Sequence, residues 1–172
     1  MFLFLDLTME TYVEDYLEEN GIKYVLHEHV AVHTVAESRI HCKDIPGLHC
    51  KNLFVKDKKT DTFFLIVMPA EKRLQIHQLA KYLGLKKLCF ASEEHLWKIL
   101  KLKAGSVSPL GIINDKEQIT KVIVDREVWD ADRVSFHPNI NTETLEIDKE
   151  NFHNFIKGMK NKVEIITLDF NQ

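Results

Sequence analysis

Apolar side chains recur every three or four residues in four stretches of the chain, which is the spacing of an amphipathic helix. Side chains that favour helix ends, such as Ser92 and Asp148 at N-termini and Gly21 after a C-terminus, bound several of these stretches. The four predicted helices run from about Glu10 to Asn20, from Ile76 to Leu83, after Ser92 as far as Leu100, and after Asp148 as far as Met159. Thr34 and Glu37 form a capping box that predicts a fifth helix, ending before Pro46.

Runs of β-branched and aromatic residues predict strands between these helices. Asn52 to Lys56 and Thr62 to Val67 flank five polar residues, which indicates a hairpin. The other predicted strands are Tyr24 to His27, Lys87 to Phe90, Ile119 to Val124, Arg133 to Phe136, Thr142 to Ile147 and Val163 to Leu168. Because several connections are too short for parallel crossovers, we expect an α+β fold with a mixed, mostly antiparallel sheet surrounded by helices.

Composition fits one folded domain over residues 1–172, with 45% hydrophobic and 28% charged residues and no dividing linker. It excludes a disordered chain, a collagen-like repeat and a disulfide scaffold. The net charge of -3 argues against non-specific nucleic-acid binding, so we expect no DNA partner. Three widely spaced cysteines favour a reducing compartment, and the apolar start Phe2 to Leu5 is too short for a membrane span. We therefore expect a cytoplasmic protein with no membrane partner.

The segment Lys103 to Gly111 combines two glycines, two serines and a proline between apolar stretches. Glycine allows a ligand to approach the backbone, and successive N–H groups can converge on an anion. This pattern indicates a binding loop, and an ordinary turn is the alternative interpretation. It does not form a nucleophile elbow, because Val107 rather than a serine occupies the central position.

Two further residues are candidates for polar chemistry. Lys51 stands just before the apolar run Leu53 to Val55, with Asn52 between them, so it is predicted to lie at a strand entrance and to aim its charge into a cleft. His137 lies in a turn rich in hydrogen-bonding side chains at a strand end, where binding residues are often found. A solvated lysine and a structural histidine are the alternative interpretations.

Metal binding and thiol catalysis receive less support from the sequence. His27 and His29 would share one face of a strand, but their spacing with the remaining histidines matches no zinc pattern, so we expect no metal and no other cofactor. Cys50 stands beside Lys51, and an adjacent ammonium lowers the pKa of a thiol. Because no histidine or carboxylate partner can be assigned to Cys50, we interpret it as a buried bystander.

Three segments, in this order, resemble the prolyl-tRNA synthetase-associated editing domains of the YbaK-like superfamily. They are Ile45 to Asp57, Gly105 to Asp115 and Phe136 to Thr142. The Lys-Asn-Leu-Phe and Phe-His-Pro sequences within them are similar to those of free-standing deacylases that remove alanine from proline tRNA. The resemblance extends from about Met9 to Met159, and it leaves residues 1–8 as a short N-terminal extension.

The resemblance implies an aminoacyl-tRNA hydrolase that acts on the acceptor end of proline tRNA without a metal. The sequence leaves open whether prolyl-tRNA synthetase or an elongation factor recruits the protein to this tRNA. The implied catalytic residues are Lys51 near the terminal adenosine, Gly105 in the GxxxP loop and the pocket histidine His137. The implied substrate-binding residues are Asn52, Ser106, Val107, Ser108, Pro109 and Asn141. A cysteinyl-tRNA deacylase and a catalytically idle tRNA- or synthetase-binding module are the alternatives.

Overall fold

The computed structural model describes residues 9–170, so the predicted extension at residues 1–8 lies outside the described part. The strands are β1 (Val25–Glu28), β2 (Leu48–Asp57), β3 (Phe63–Pro69), β4 (Leu88–Phe90), β5 (Thr120–Asp125), β6 (Arg133–Phe136), β7 (Glu143–Asp148) and β8 (Val163–Ile166). The helices are α1 (Thr11–Glu19), α2 (Val35–His41), α3 (Ile76–Tyr82), α4 (Glu93–Leu100), α5 (Arg126–Asp130) and α6 (Lys149–Gly158), with a 3₁₀ helix at Pro109–Asn114. Within residues 9–170, no helix is long and apolar enough to cross a bilayer.

The eight strands form one sheet in the order β1-β7-β6-β2-β3-β5-β8, and β4 pairs separately with β2. Four of the seven pairings among the described strands are antiparallel and three are parallel. The predicted α+β class with a mixed, mostly antiparallel sheet is therefore confirmed, although the antiparallel majority is narrow.

The centre of the sheet is β3, whose residues are buried on both faces as expected for an interior strand. Leu65 and Val67 pack with α1, α4 and α6 on one face of the sheet. Ile66 and Met68 alternate with them and pack with α3 on the other face. The sheet therefore lies between two layers of helices, which pack their apolar faces against it.

The predicted helix starts at Thr34, Ser92 and Asp148 are confirmed by their capping hydrogen bonds. The side chain of each residue accepts a backbone N–H from the first turn, and Thr34 with Glu37 forms the full capping box. The short α5 and the 3₁₀ helix were not predicted. Both lie in segments of only five or six residues, which is too short for a helical repeat of apolar positions.

Strand β2 begins at Leu48, four residues before the predicted Asn52, so Lys51 lies within the strand rather than in front of it. One edge of β2 pairs with β3 from Cys50 to Lys56. The opposite edge pairs with β6 only at Leu48 and His49, and with β4 only from Val55 onwards. The described strands therefore separate at the middle of β2 and leave an opening beside it.

The turn into β2 depends on Gly47, whose φ is +100°. A Cβ at this position would lie 2.9 Å from the backbone oxygen of Arg133, the first residue of β6. Gly47→Ala should therefore lower the free energy of unfolding by about 2–4 kcal/mol, measured by urea denaturation. The control Gly158→Ala, at the open end of α6, should be neutral or stabilising by up to about 1 kcal/mol. Equal stability of Gly47→Ala and wild type would contradict the predicted clash.

Candidate functional site

A cavity of about 340 Å³ occupies the opening beside β2. Its wall combines the middle of β2, the end of β6 with the following turn, the start of α2, the segment from Phe90 to Leu96, and the loop that precedes the 3₁₀ helix. These segments are distant in sequence. They meet at the gap along the edge of β2 between its pairing with β6 and its pairing with β4. A cavity of this size can enclose a small organic group together with water.

Lys51 lies on the cavity wall in the middle of β2 and is the only lysine or arginine among the residues that line it. Among the described residues, its ammonium group forms neither an ion pair nor a side-chain hydrogen bond, and burial alone lowers its pKa. Ammonium groups without a partner are costly to bury. Lys51 can therefore supply a positive charge to an anionic ligand without first breaking an ion pair.

Asn52 connects β2 to the glycine-rich loop. Its Nδ2 donates a hydrogen bond of 3.2 Å to the backbone oxygen of Val107, which also lies on the cavity wall. The Oδ1 atom of Asn52 is buried and has no partner in the described structure. The same is true of the Oγ atom of Ser135, another residue of the wall. These two orphaned oxygens are available to a bound ligand or a water molecule.

The glycine-rich loop approaches the cavity through Gly105 and Val107. Gly105 has a φ of +85°, and a Cβ placed on it would lie 3.5 Å from Nδ1 of His33 across the cavity mouth. The conformation therefore favours glycine because of its backbone angle, while the space around it would accept a small side chain.

The other predicted residues of this loop do not line the cavity. Ser106 is partly exposed, and Ser108 is fully buried with its Oγ accepting the N–H of Leu110. This bond caps the 3₁₀ helix, in which Pro109 is the first residue. The structure thus places Ser108 and Pro109 behind the loop and outside the cavity wall, and the substrate-binding role that the resemblance implies for them stays a prediction.

His137 lies on the wall at the end of β6, and its orientation is fixed by a hydrogen bond of 2.8 Å from Nδ1 to the backbone oxygen of Glu143. Since a carbonyl oxygen only accepts, Nδ1 carries the proton and Nε2 is an acceptor in the neutral ring. Burial lowers the pKa of His137, and the neighbouring His29 ring, 5.8 Å away, lowers it further. The imidazole is therefore neutral at neutral pH.

Of the nine predicted site residues, the structure brings five together on the cavity wall. These are Lys51, Asn52, Gly105, Val107 and His137. Asn141 stays at the rim, where its Nδ2 lies 3.2 Å from Nδ1 of His33.

Sequence analysis did not assign several polar residues of the wall to the site, among them His33 and Ser135. His33 precedes a capping box, so its position suggested only the start of a helix. Nothing in the surrounding sequence indicates that Gly105 lies opposite His33. Ser135 lies in β6, two residues before His137, and is only 1% exposed. A serine in an apolar strand was the available signal, because a buried hydroxyl needs a hydrogen-bond partner.

The remaining candidates have other roles. Cys50 also lines the cavity, but it is partly buried against the core, and burial raises the pKa of its thiol to about 12. Nε2 of His27 lies 2.7 Å from the carboxylate of Glu146, and Nε2 of His29 lies 2.9 Å from Oγ1 of Thr144. No group of three or more metal-ligating side chains occurs within residues 9–170.

The arrangement thus offers the ammonium group of Lys51, the neutral imidazole of His137 and two orphaned oxygens around one cavity. The described wall has a single carboxylate, Glu93, at the exposed start of α4. It presents no thiolate and no serine paired with a histidine base, because Ser135 Oγ has no partner. Such a site can bind an anionic or strongly polar ligand and hold a water molecule against it.

Comparison with known proteins gives the chain a clear set of relatives. Residues 29–155 match the family model described as an aminoacyl-tRNA editing domain. The chain is 33% identical over 165 residues to the prolyl-tRNA editing protein ProX of Acetoanaerobium sticklandii, covering 95% of this chain and all of that protein. It is 31% identical over 163 residues to prolyl-tRNA synthetase associated domain-containing protein 1 of Bos taurus, covering 92% and 95% of the two chains.

The fold has relatives among solved structures as well. The crystal structure of a candidate trans-editing enzyme for prolyl-tRNA synthetase matches with a TM-score of 0.68 at 14% identity. The match covers 92% of this chain and 98% of that one. At this level of identity the likeness establishes the common fold.

Proposed function

The chain belongs to the aminoacyl-tRNA editing domain family, and on that premise we propose that it is a trans-editing deacylase for mischarged proline tRNA. The substrate we propose is alanyl-tRNA(Pro), bound by its acceptor end, and prolyl-tRNA(Pro) is excluded. Water attacks the ester directly, without a covalent enzyme intermediate.

The observation that carries this proposal is that Lys51, Asn52 and His137 lie around one cavity, which the glycine-rich loop also lines. The aminoacyl ester lies at the 3′ end of a polyanion, so a site for it needs a cation near the ribose and phosphate. Lys51 meets that need, since it has no other partner in the described structure. A single local lysine also agrees with the net charge of -3, if only the acceptor end is bound.

The reaction requires little covalent chemistry from the protein. Water adds to the acyl carbon, the bond from that carbon to the ribose oxygen breaks, and the ribose hydroxyl regains a proton while the free amino acid leaves. The α-ammonium group of the substrate already activates the ester, so placement of water and stabilisation of the oxyanion are the main requirements. We assign the placement of substrate and water to the loop around Gly105 and to the orphaned oxygens of Asn52 and Ser135.

Substrate choice follows from size. A cavity that accepts the alanyl side chain can exclude the proline ring by steric overlap. Discrimination of alanine from serine or glycine rests on single small groups, each worth only about 1–3 kcal/mol. Exclusion of proline should therefore be strong, and discrimination among small amino acids should be weaker.

The test is to incubate the protein with alanyl-, cysteinyl-, seryl- and prolyl-tRNA(Pro) and to follow release of each amino acid. We expect rapid release of alanine and no release of proline above the spontaneous rate. Preferential release of cysteine would identify the cysteinyl-tRNA deacylase alternative. Binding of the tRNA without release of any amino acid would identify an idle binding module, and equal release of alanine and proline would refute the proposed size exclusion.

The proposed attack by water predicts that Cys50→Ala retains activity within about threefold of wild type. With a thiol pKa of about 12, fewer than roughly one Cys50 in 10,000 is a thiolate at neutral pH. Mass spectrometry of a quenched reaction should show no alanyl adduct on Cys50, Ser106 or Ser108. An adduct on any of them, together with loss of activity when that residue becomes alanine, would establish a covalent mechanism instead.

A further inference from the structure

Two exposed aromatic rings stand beside the cavity on its β4 and α4 side. Phe90 ends β4, is 62% exposed and lines the cavity, and Trp97 on α4 is 53% exposed. Glu93, another residue of the cavity wall, lies one helical turn before Trp97 on the same face of α4. A shallow depression lined by Trp97 and Lys103 shares Glu93 and Ala104 with the cavity. The two rings and the cavity therefore form one continuous surface.

This surface is locally basic in a protein of net charge -3. Lys98, Lys101 and Lys103 are exposed, and no acidic residue stands between them in the sequence. The Nζ atom of Lys101 lies 5.8 Å from the centre of the Trp97 ring. Acidic residues of α4 are confined to its first turn, at Glu93 and Glu94. The positive charge thus surrounds Trp97 at the end of α4 that lies away from Glu93.

We infer that Phe90, Trp97, Lys101 and Lys103 form a surface that binds the unpaired nucleotides at the 3′ end of an RNA substrate, an inference that rests on the proposed function. We call it the Trp97 surface. Proteins bind single-stranded RNA by stacking bases on exposed aromatic rings and by placing lysines along the phosphates. The Trp97 surface offers both features directly outside the cavity in which the terminal ester would react.

The arrangement also gives the strand a direction. The terminal nucleotide enters the cavity past Phe90, close to Lys51, and the nucleotides before it stack on Trp97. Their phosphates follow Lys101 and Lys103, because Glu93 repels phosphate at the start of α4. Stacking accepts any base, so this surface supplies affinity and orientation for the single strand and no preference for sequence.

The experiment uses the fluorescence of Trp97 in a Trp129→Phe background, which leaves one tryptophan in the chain. The probes are an RNA hairpin that carries no amino acid and ends in an unpaired 5′-CCA-3′, and the same hairpin with a blunt end. We expect the first to quench the fluorescence and the second to leave it nearly unchanged. Because variants of Trp97 in this background contain no tryptophan, the variants are compared by the fluorescence anisotropy of a dye at the 5′ end of the hairpin. Trp97→Ala and Phe90→Ala should each weaken binding of the CCA hairpin about 5- to 50-fold, and Trp97→Phe should preserve most of it.

Two controls separate stacking from charge and from general surface changes. Replacing Lys101 and Lys103 together by glutamine should weaken binding and reduce its dependence on salt. Tyr82→Ala should leave binding unchanged, because Tyr82 is 56% exposed on α3 and contacts Phe170 instead. Melting curves should be alike for all of these variants, since each replaced side chain is largely exposed.

The readout is binding of uncharged RNA, so it does not depend on hydrolysis. Equal affinity of Trp97→Ala and wild type for the CCA hairpin, or equal quenching by the blunt hairpin, would overturn the Trp97 surface even if alanyl-tRNA is hydrolysed. Quenching specific to the CCA end in a protein that hydrolyses no aminoacyl-tRNA would support the surface and refute the proposed deacylase.

Discussion

Replacing Lys51 by methionine should lower the single-turnover rate of alanyl-tRNA(Pro) hydrolysis by about 30- to 1000-fold. Methionine keeps much of the side-chain volume and removes the only cation on the described cavity wall. The loss is expected mainly in the transition state, because that is when negative charge develops next to the ribose. A charge contact in a site with little water is worth far more than a similar contact on the surface.

The same substitution should leave the melting temperature unchanged or slightly raised. Burial lowers the pKa of Lys51, so folding disfavours its charged form, and removing that charge relieves a small cost at neutral pH. This result would distinguish Lys51 from a lysine that stabilises the fold, whose replacement would lower the melting temperature.

Lys56→Met is the matched control on the same strand. Its Nζ atom lies 5.5 Å from the centre of the Phe63 ring and 3.9 Å from a carboxylate oxygen of Asp61, outside the cavity wall. We expect its rate to stay within about twofold of wild type, since surface ion pairs are worth little. If Lys56→Met and Lys51→Met lose rate equally, or if Lys51→Met loses rate only through unfolding, the assigned role of Lys51 is refuted.

Sequence patterns were sufficient to predict most of the elements of this fold. The helix starting after Asp148 and the hairpin between β2 and β3 have strong local signals, a capping side chain and two apolar runs around a polar turn. Such signals lie within about ten residues, where local geometry decides structure. The parallel pairings of β3 with β5 and of β5 with β8 could not be predicted in the same way, because their partners are brought together only by the packed core.

The residues of the cavity wall were even harder to predict from local sequence signals. Lys51 and His137 are 86 positions apart, and composition or periodicity alone would leave each with a structural alternative. The family resemblance linked them, and the structure places both on one wall. The resemblance could not indicate that the Ser108 hydroxyl caps a 3₁₀ helix, or that His33 faces Gly105. Both relations depend on how α2 and the glycine-rich loop pack.

His137→Ala should raise the alanyl-tRNA(Pro) concentration needed for half-maximal single-turnover rate by about 10- to 100-fold, with a smaller loss in the saturating rate. The reason is geometric. The bond from Nδ1 to the backbone of Glu143 fixes the ring and leaves Nε2 as an acceptor for the substrate. His137→Gln, whose amide can reach a similar position, should recover part of the lost affinity.

The pH dependence separates this positioning role from general base catalysis. Because the pKa of His137 is lowered from its ordinary value of 6.5, the midpoint of its ionisation lies below pH 6.5, and the wild-type saturating rate should show no ionisation of this ring with a midpoint between pH 6.5 and 8. An ionisation within the range that disappears in His137→Ala, together with a loss of at least about 100-fold in the saturating rate, would show that His137 is the base.

Stability should report the same pKa independently of any substrate. In the unfolded chain His137 binds a proton near pH 6.5, whereas in the folded protein it binds one only at lower pH. Below pH 6.5 the unfolded state therefore holds more protons than the folded state. The contribution of His137 to stability is complete above pH 6.5 and is lost as the pH falls through the pKa of His137 in the folded protein. Between pH 7.5 and 5.5 the melting temperature of wild type should thus decrease more than that of His137→Gln, and an equal decrease would mean that the buried ring of His137 is not the group that resists protonation.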